Sequence, residues 1–218
     1  MCKQKDNSFC TELGLDISRW SRQAPLEKPE WIDDSLDDLR KALNLAREGK
    51  IDEARMTLKD SADFELRKWF GVHAQNCGVW RYKALNVPTP EPIAPLDLET
   101  KLTKFEVPIF NRDNHHCRYC GSKVIAKNDF KKMQKLLGEE SFPLRGTNKG
   151  RSGYYLMFCA TLDHVFPRSL GGATDEDNLV TCCWSCNYGK SNYTLEQIGL
   201  DNPLDRIPSG EPKWVSAT

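Results

Sequence analysis

No stretch of this 218-residue chain approaches the roughly 18 consecutive apolar residues that cross a bilayer, so a membrane-spanning helix is excluded. The opening "MCKQKDNSFC" lacks the apolar core of a secretion signal, and the expected location is the cytoplasm. An excess of either charge is also missing. Lysine plus arginine equal aspartate plus glutamate at 31 each, so net charge argues neither for nor against a nucleic-acid partner. Histidine is scarce: only His73, His115, His116 and His164 could supply imidazole chemistry. No second copy of the hairpin around "LAREGKIDEA" follows the first, so a repeat array is not expected.

What the chain does have is cysteine. It has nine, and in a reducing compartment they are not expected to pair as disulfides. Metal binding is the leading use. Cys117 and Cys120 in "CRYCG", and Cys183 and Cys186 in "CWSC", form two C-x-x-C clips, together the four thiolates that suit a closed structural zinc site. The 62 residues between Cys120 and Cys183 exceed the 15 to 20 of ordinary zinc-finger spacing, so a substantial element is inserted there. Within that insert, "YYLMFCATL" is apolar and aromatic enough to predict a buried strand ending at Asp163 and His164. Pro167, Gly171, Gly172 and the polar "ATDEDN" predict a long loop, "NLVTC" a returning strand, and "WSCNYGKSNYTLEQIG" a helix starting near Trp184.

"DHVFPRSLGG", the following "NLV" and "CWSCNYGK" resemble the HNH endonuclease motif, the ββα-metal nuclease module, in its form stapled by a four-cysteine zinc site. "FNRDNHHCRYCG" resembles the segment that introduces the first clip in that family. The likeness covers about residues 104 to 201 and does not extend to residues 1 to 86. In the family the asparagine follows the histidine by about fourteen residues and the clip begins five later, as Asn178 follows His164 and Cys183 follows Asn178 here. The resemblance therefore makes Cys183 and Cys186 the ligands and Cys182 a core residue. It also implies that Asp163 and Asn187 hold a catalytic magnesium or manganese ion, that His164 activates water, and that Asn178 fixes the loop after His164 through a backbone hydrogen bond. Hard oxygen donors and a near-neutral imidazole suit those roles. The last motif position, commonly histidine, is Asn187 here, which favours magnesium or manganese over softer metals. Arg168 and Lys190 are expected phosphate contacts, and residues 101 to 160, with 12 basic against 5 acidic side chains, form the one basic segment.

The first 86 residues read as helical. Leu36, Leu39, Leu43 and Ala46 form one stripe between a Ser35 cap and a Gly49 stop, and Ile51, Ala54 and Leu58 repeat the spacing. A third helical segment carries Trp69, Phe70, Trp80 and Tyr82 as core aromatics. The four prolines of "NVPTPEPIAPLDLET" predict an extended linker. The expectation is an α+β protein: a helical domain over 1–86 for partner or target binding, a linker over 87–99, and a zinc-stapled nuclease domain over 100–218 acting on DNA. The alternative is a zinc-dependent nucleic-acid-binding module that does not cleave. A single site handles one strand, so double-strand cutting would call for a homodimer or two visits.

Overall fold

The computed structural model describes residues 16–25, 28–74, 76–96 and 99–210. The helical region is built as its periodicity dictates. α1 (Glu30–Asp34) leads into α2 (Leu36–Arg47), whose Leu36, Leu39, Ala42, Leu43 and Ala46 are buried at helical spacing. Gly49, at φ +82°, turns the chain into α3 (Ile51–Lys59), and the two helices pair as a hairpin. Ser35 does not cap α2 with its side chain: its hydroxyl donates back to the Ile32 carbonyl at 2.6 Å. The third segment is broken rather than continuous. α4 (Asp63–Trp69) opens into a wider π turn (Phe70–Ala74) containing Gly71, and Asn76 starts α5 (Cys77–Leu85). Of the expected core aromatics, Phe70 is fully buried, whereas Trp69, Trp80 and Tyr82 are half-buried.

The C-terminal part contains α6 (Thr103–Arg112), α7 (Lys127–Leu137), α8 (Gly153–Phe158), β1 (Ala160–His164), β2 (Leu179–Cys183), α9 (Trp184–Lys190) and α10 (Leu195–Ile198). The first half of the predicted strand "YYLMFCATL" is therefore the helix α8. Tyr154 to Phe158 are all buried, and an apolar run buried on every side has no period that distinguishes strand from helix. Contacts from α4 fix the outcome: Asp63 Oδ1 accepts from the Gly153 amide at 2.8 Å and the Ser152 hydroxyl at 2.6 Å, occupying the helix N-terminus. Gly153 is needed there, because a Cβ would overlap the Asp63 carbonyl.

Apolar packing runs across the expected 87–99 boundary. One apolar cluster joins Ile32, Leu39, Leu66 and Phe70 from the first helices to Phe130, Phe142, Tyr154 and Phe158. A second surrounds the cysteines and the hairpin. The proline-rich stretch is extended but packed: the Ile93 amide donates to the Leu170 carbonyl at 2.9 Å, and Thr89 Oγ1 accepts from Gln197 at 2.9 Å. The backbones of α5 and α9 touch, with no room for a Cβ on Gly78 beside the Gly189 carbonyl. This packing has a physical cause. Four prolines specify an extended chain, but extended chain can lie on a surface as readily as cross solvent. A fragment starting at residue 99 should consequently expose the aromatic face of α7 and α8 and fail to fold. Soluble yield and near-ultraviolet circular dichroism would check this, and a soluble fragment with native aromatic signals would restore the two-domain division.

Candidate nuclease and metal sites

β1 and β2 pair antiparallel, with Ala160 opposite Cys183 and His164 opposite Leu179. Every residue of β2 is buried, which gives the hairpin a fixed register. The loop between the strands is held by Asn178. Its Oδ1 accepts from the Phe166 amide at 2.8 Å, while Nδ2 donates to the carbonyls of Phe166 at 3.0 Å and Ala173 at 2.8 Å. Gly172 lets the loop close, since a Cβ would overlap the Phe166 carbonyl.

Asp163, His164, Arg168, Asn187 and Lys190 line one open cleft of about 400 Å³, together with Tyr188. His164 is 9% exposed, and its Nε2 lies 3.0 Å from Thr174 Oγ1, a contact that fixes the ring. Asn187 donates its amide to Thr161 Oγ1 at 3.1 Å and the Leu162 carbonyl at 3.2 Å, leaving Oδ1 as the acceptor it can offer a cation. Asp163 is buried and accepts from the Tyr119 hydroxyl at 2.7 Å. Burial pushes its carboxyl pKa up, partly offset by Lys190 and by the Tyr119 hydrogen bond.

Lys190 departs from expectation. It is 1% exposed, and its ammonium lies 3.3 Å from Asp163 Oδ2 and donates to the His164 carbonyl at 2.8 Å. α9 turns that face of the helix inward against β1, which brings the ammonium to these two groups. Lys190 instead ties both neighbouring motif residues to α9. Arg168 is half-buried at the cleft rim and keeps a position from which a phosphate could be reached. Tyr119 and Thr174 were not foreseen. Tyr119 sits inside the first clip, where an aromatic between two cysteines is a signal for burial; Thr174 lies in a polar loop that gave none.

The sulfur atoms of Cys117, Cys120, Cys183 and Cys186 all lie within 4.8 Å of one another. Cys120 and Cys183 sulfurs are 3.7 Å apart. A tetrahedral tetrathiolate with bonds near 2.3 Å puts its sulfurs about 3.8 Å apart, so the donor set could hold a metal ion of that kind. Two turns and one edge contact bring the clips together. Gly121, at φ +74°, closes the first clip, with the Cys117 amide donating to the Ser122 carbonyl at 2.8 Å. The Arg118 amide donates to the Thr181 carbonyl at 2.9 Å, and buried Asp113 accepts from the Thr181 amide at 2.7 Å, fastening this segment to β2. In the second clip the Cys186 amide points at the Cys183 sulfur from 3.5 Å at the start of α9. Burial drives the Cys117 and Cys183 thiols well above their usual range, whereas hydrogen bonds led by that from Cys117 push Cys120 well below it. A cation held there would balance such a crowd of buried sulfurs. Cys182 lies outside the cluster, fully buried, its pKa pushed up to about 12 by burial. His115 and His116 are also outside it, their rings paired with Asn111 and the Asn114 carbonyl.

Residues 158–201 match the HNH endonuclease family. No curated protein and no solved structure matches the chain. The family match runs from the end of α8 through β1, β2 and α9 to α10, so the C-terminal part of the chain carries an HNH endonuclease domain; the first clip lies outside the matched segment. Among the described residues, no helix is long and apolar enough to cross a membrane.

Proposed function

We propose that this chain is a metal-dependent endonuclease that hydrolyses DNA phosphodiester bonds, with His164 as general base. The observation that carries the reading is the convergence of Asp163, His164 and Asn187 on one cleft whose loop is held by Asn178. In this reading Asp163 and Asn187 hold a magnesium or manganese ion, which neutralises charge on the phosphate and the departing oxygen when bound. The other steps belong to the chain. His164 takes a proton from the water that attacks phosphorus in line, the bond to the leaving oxygen breaks, and that oxygen takes a proton from solvent in the open cleft. Thr174 holds the imidazole in one plane, and Asn178 stops the loop from carrying it away. Arg168 meets a flanking phosphate. The four cysteines hold zinc as a closed structural site, because four thiolates leave no position for substrate. Such thiols stay reduced in a cytoplasmic setting.

The π turn and α5 support α9 from behind, and the outer face of the first helices is where target or partner selection would reside. Restriction or phage defence suits a nuclease of this kind, an argument by analogy alone. The test is incubation of the purified full chain with supercoiled plasmid and magnesium or manganese. Nicking that appears with the divalent ion and vanishes with chelator is the expected result. Binding without cleavage under every metal condition would leave a nucleic-acid-binding module instead.

A further inference from the structure

We infer that Tyr188 receives an unpaired base beside the scissile phosphate, so that the substrates of this site are single-stranded or locally unpaired DNA. The inference rests on the nuclease reading of the cleft and names its substrate class. Tyr188 follows Asn187 on α9 and lines the same cleft as Asp163, His164 and Arg168. It is 40% exposed, whereas the rings it touches lie deeper: Phe70 is fully buried and Trp184 half-buried.

The Tyr188 ring is held in place from the protein side. Its centroid lies 5.9 Å from that of Trp184 with the planes 13° apart, and Phe70 meets it in an edge arrangement at 5.5 Å and 72°. Trp184 rests in turn on buried Tyr155, with centroids 5.0 Å apart. The backbone beside Tyr188 is equally confined, because Gly189 abuts the Cys77 sulfur with no room for a Cβ. A stack that starts in the core therefore ends at the cleft with its last ring already oriented, and an oriented ring loses little conformational entropy when a ligand lands on it. The Arg151 guanidinium, 5.5 Å from the Trp184 ring, adds positive charge beside the stack.

The chemistry of the cleft assigns the occupant. Phosphate oxygens suit Arg168 and a cation on Asp163 and Asn187, whereas Leu102, Leu162 and Tyr188 give the lining an apolar part that suits sugar and base. Of these three, only tyrosine has a π face, and stacking on it tolerates any sequence because every base has one too. A paired base is already covered on both faces by its neighbours in the duplex, so a protein ring reaches a base face only where the strand is single or the base is unstacked. Asn187 and Tyr188 are consecutive, which places the stacked base on a nucleotide next to the phosphate under attack.

The experiment gives the full chain magnesium or manganese and one oligonucleotide sequence, as a single strand and as its blunt duplex. The single strand should be cleaved with the higher kcat/KM. Tyr188→Ala should raise the KM for it by about 5- to 150-fold, the range for one lost base stack, with the loss falling mainly on KM. Tyr188→Phe and Tyr188→Trp should stay near wild type. The second readout is the fluorescence of 2-aminopurine placed next to the cleavage site, which stacking quenches: the His164→Ala chain should quench it on binding, and adding Tyr188→Ala should abolish the quenching. Duplex cut as efficiently as single strand, or an unchanged KM in Tyr188→Ala, overturns the inference. An equal rise in Tyr188→Ala and Tyr188→Phe does so too, by assigning the effect to the hydroxyl. Should Tyr188→Ala not fold, Tyr188→Leu decides, since it keeps apolar packing on Trp184 and Phe70 but offers no π face. A wild-type chain that cleaves no DNA under any metal condition would instead defeat the nuclease reading, and the 2-aminopurine signal would then decide on Tyr188 by itself.

Discussion

Replacing Cys117 or Cys183 with serine should remove both the bound zinc and the fold of the C-terminal half. These cysteines belong to the second apolar cluster as well as to the metal site, so the hairpin, the first clip and the start of α9 lose their common anchor together. Structural zinc contributes about 10 to 16 kcal/mol of apparent binding free energy in small zinc domains, which equals or exceeds the whole stability of a typical domain. The Arg118–Thr181 and Asp113–Thr181 hydrogen bonds that also fasten the first clip to β2 are worth about 0.5 to 1.5 kcal/mol each, or up to about 3 kcal/mol with a charged partner, so neither replaces the metal. Cys182→Ser provides the contrast. Its sulfur is fully buried but outside the ligand set, so the change places a hydroxyl in the core and costs about 1 to 3 kcal/mol if that hydroxyl goes unpaired. Metal analysis of each purified variant should return one zinc per chain for wild type and Cys182→Ser and little for the other two. Acidification should release zinc from the wild type, because the ligands must be thiolates and protonation competes with the ion. Equal zinc in all the proteins would refute the ligand assignment.

Local pattern and chemistry made the hairpin, α9 and the two clips legible. β2 is short, apolar and followed by a C-x-x-C pair, and the polar loop before it carries glycines and an asparagine at positions where the backbone needs them. What stayed illegible depends on contacts between distant segments. Nothing in "YYLMF" announces a helix, because the choice was made by Asp63 and α4 some 90 residues earlier. Lys190 reads as a surface cation at the end of a helix, yet the turn of α9 carries it into contact with Asp163. The shared core is the largest such case. Amphipathic stripes on α2, α3 and α7 show that each helix has an apolar face, but not that the faces meet each other across a proline-rich stretch.

His164→Ala should leave a folded, zinc-loaded, DNA-binding protein that cleaves at least about a hundredfold more slowly, since a positioned general base is typically worth about 10² to 10⁴ in rate. The structure supports the expectation that folding survives. Nε2 of the ring meets a side chain, Thr174, whereas the strand pairing at this position runs through backbone, and the Lys190 bond is to the His164 carbonyl, which alanine keeps. Asn187→Ala should behave differently. It removes a neutral oxygen donor and two hydrogen bonds to β1 but leaves the imidazole in place, so activity should fall through weaker divalent binding and recover in part as magnesium or manganese is raised. High metal should not rescue His164→Ala, because a more fully occupied cation site still lacks the group that accepts the proton. Initial nicking rates of both variants across a metal titration, with zinc content measured on the same preparations, separate the two roles. Cleavage near the wild-type rate by His164→Ala would defeat the scheme: the remaining motif groups are a carboxylate assigned to the cation, an amide that cannot accept a proton at neutral pH, and a lysine paired with that carboxylate, none of them suited to activate water.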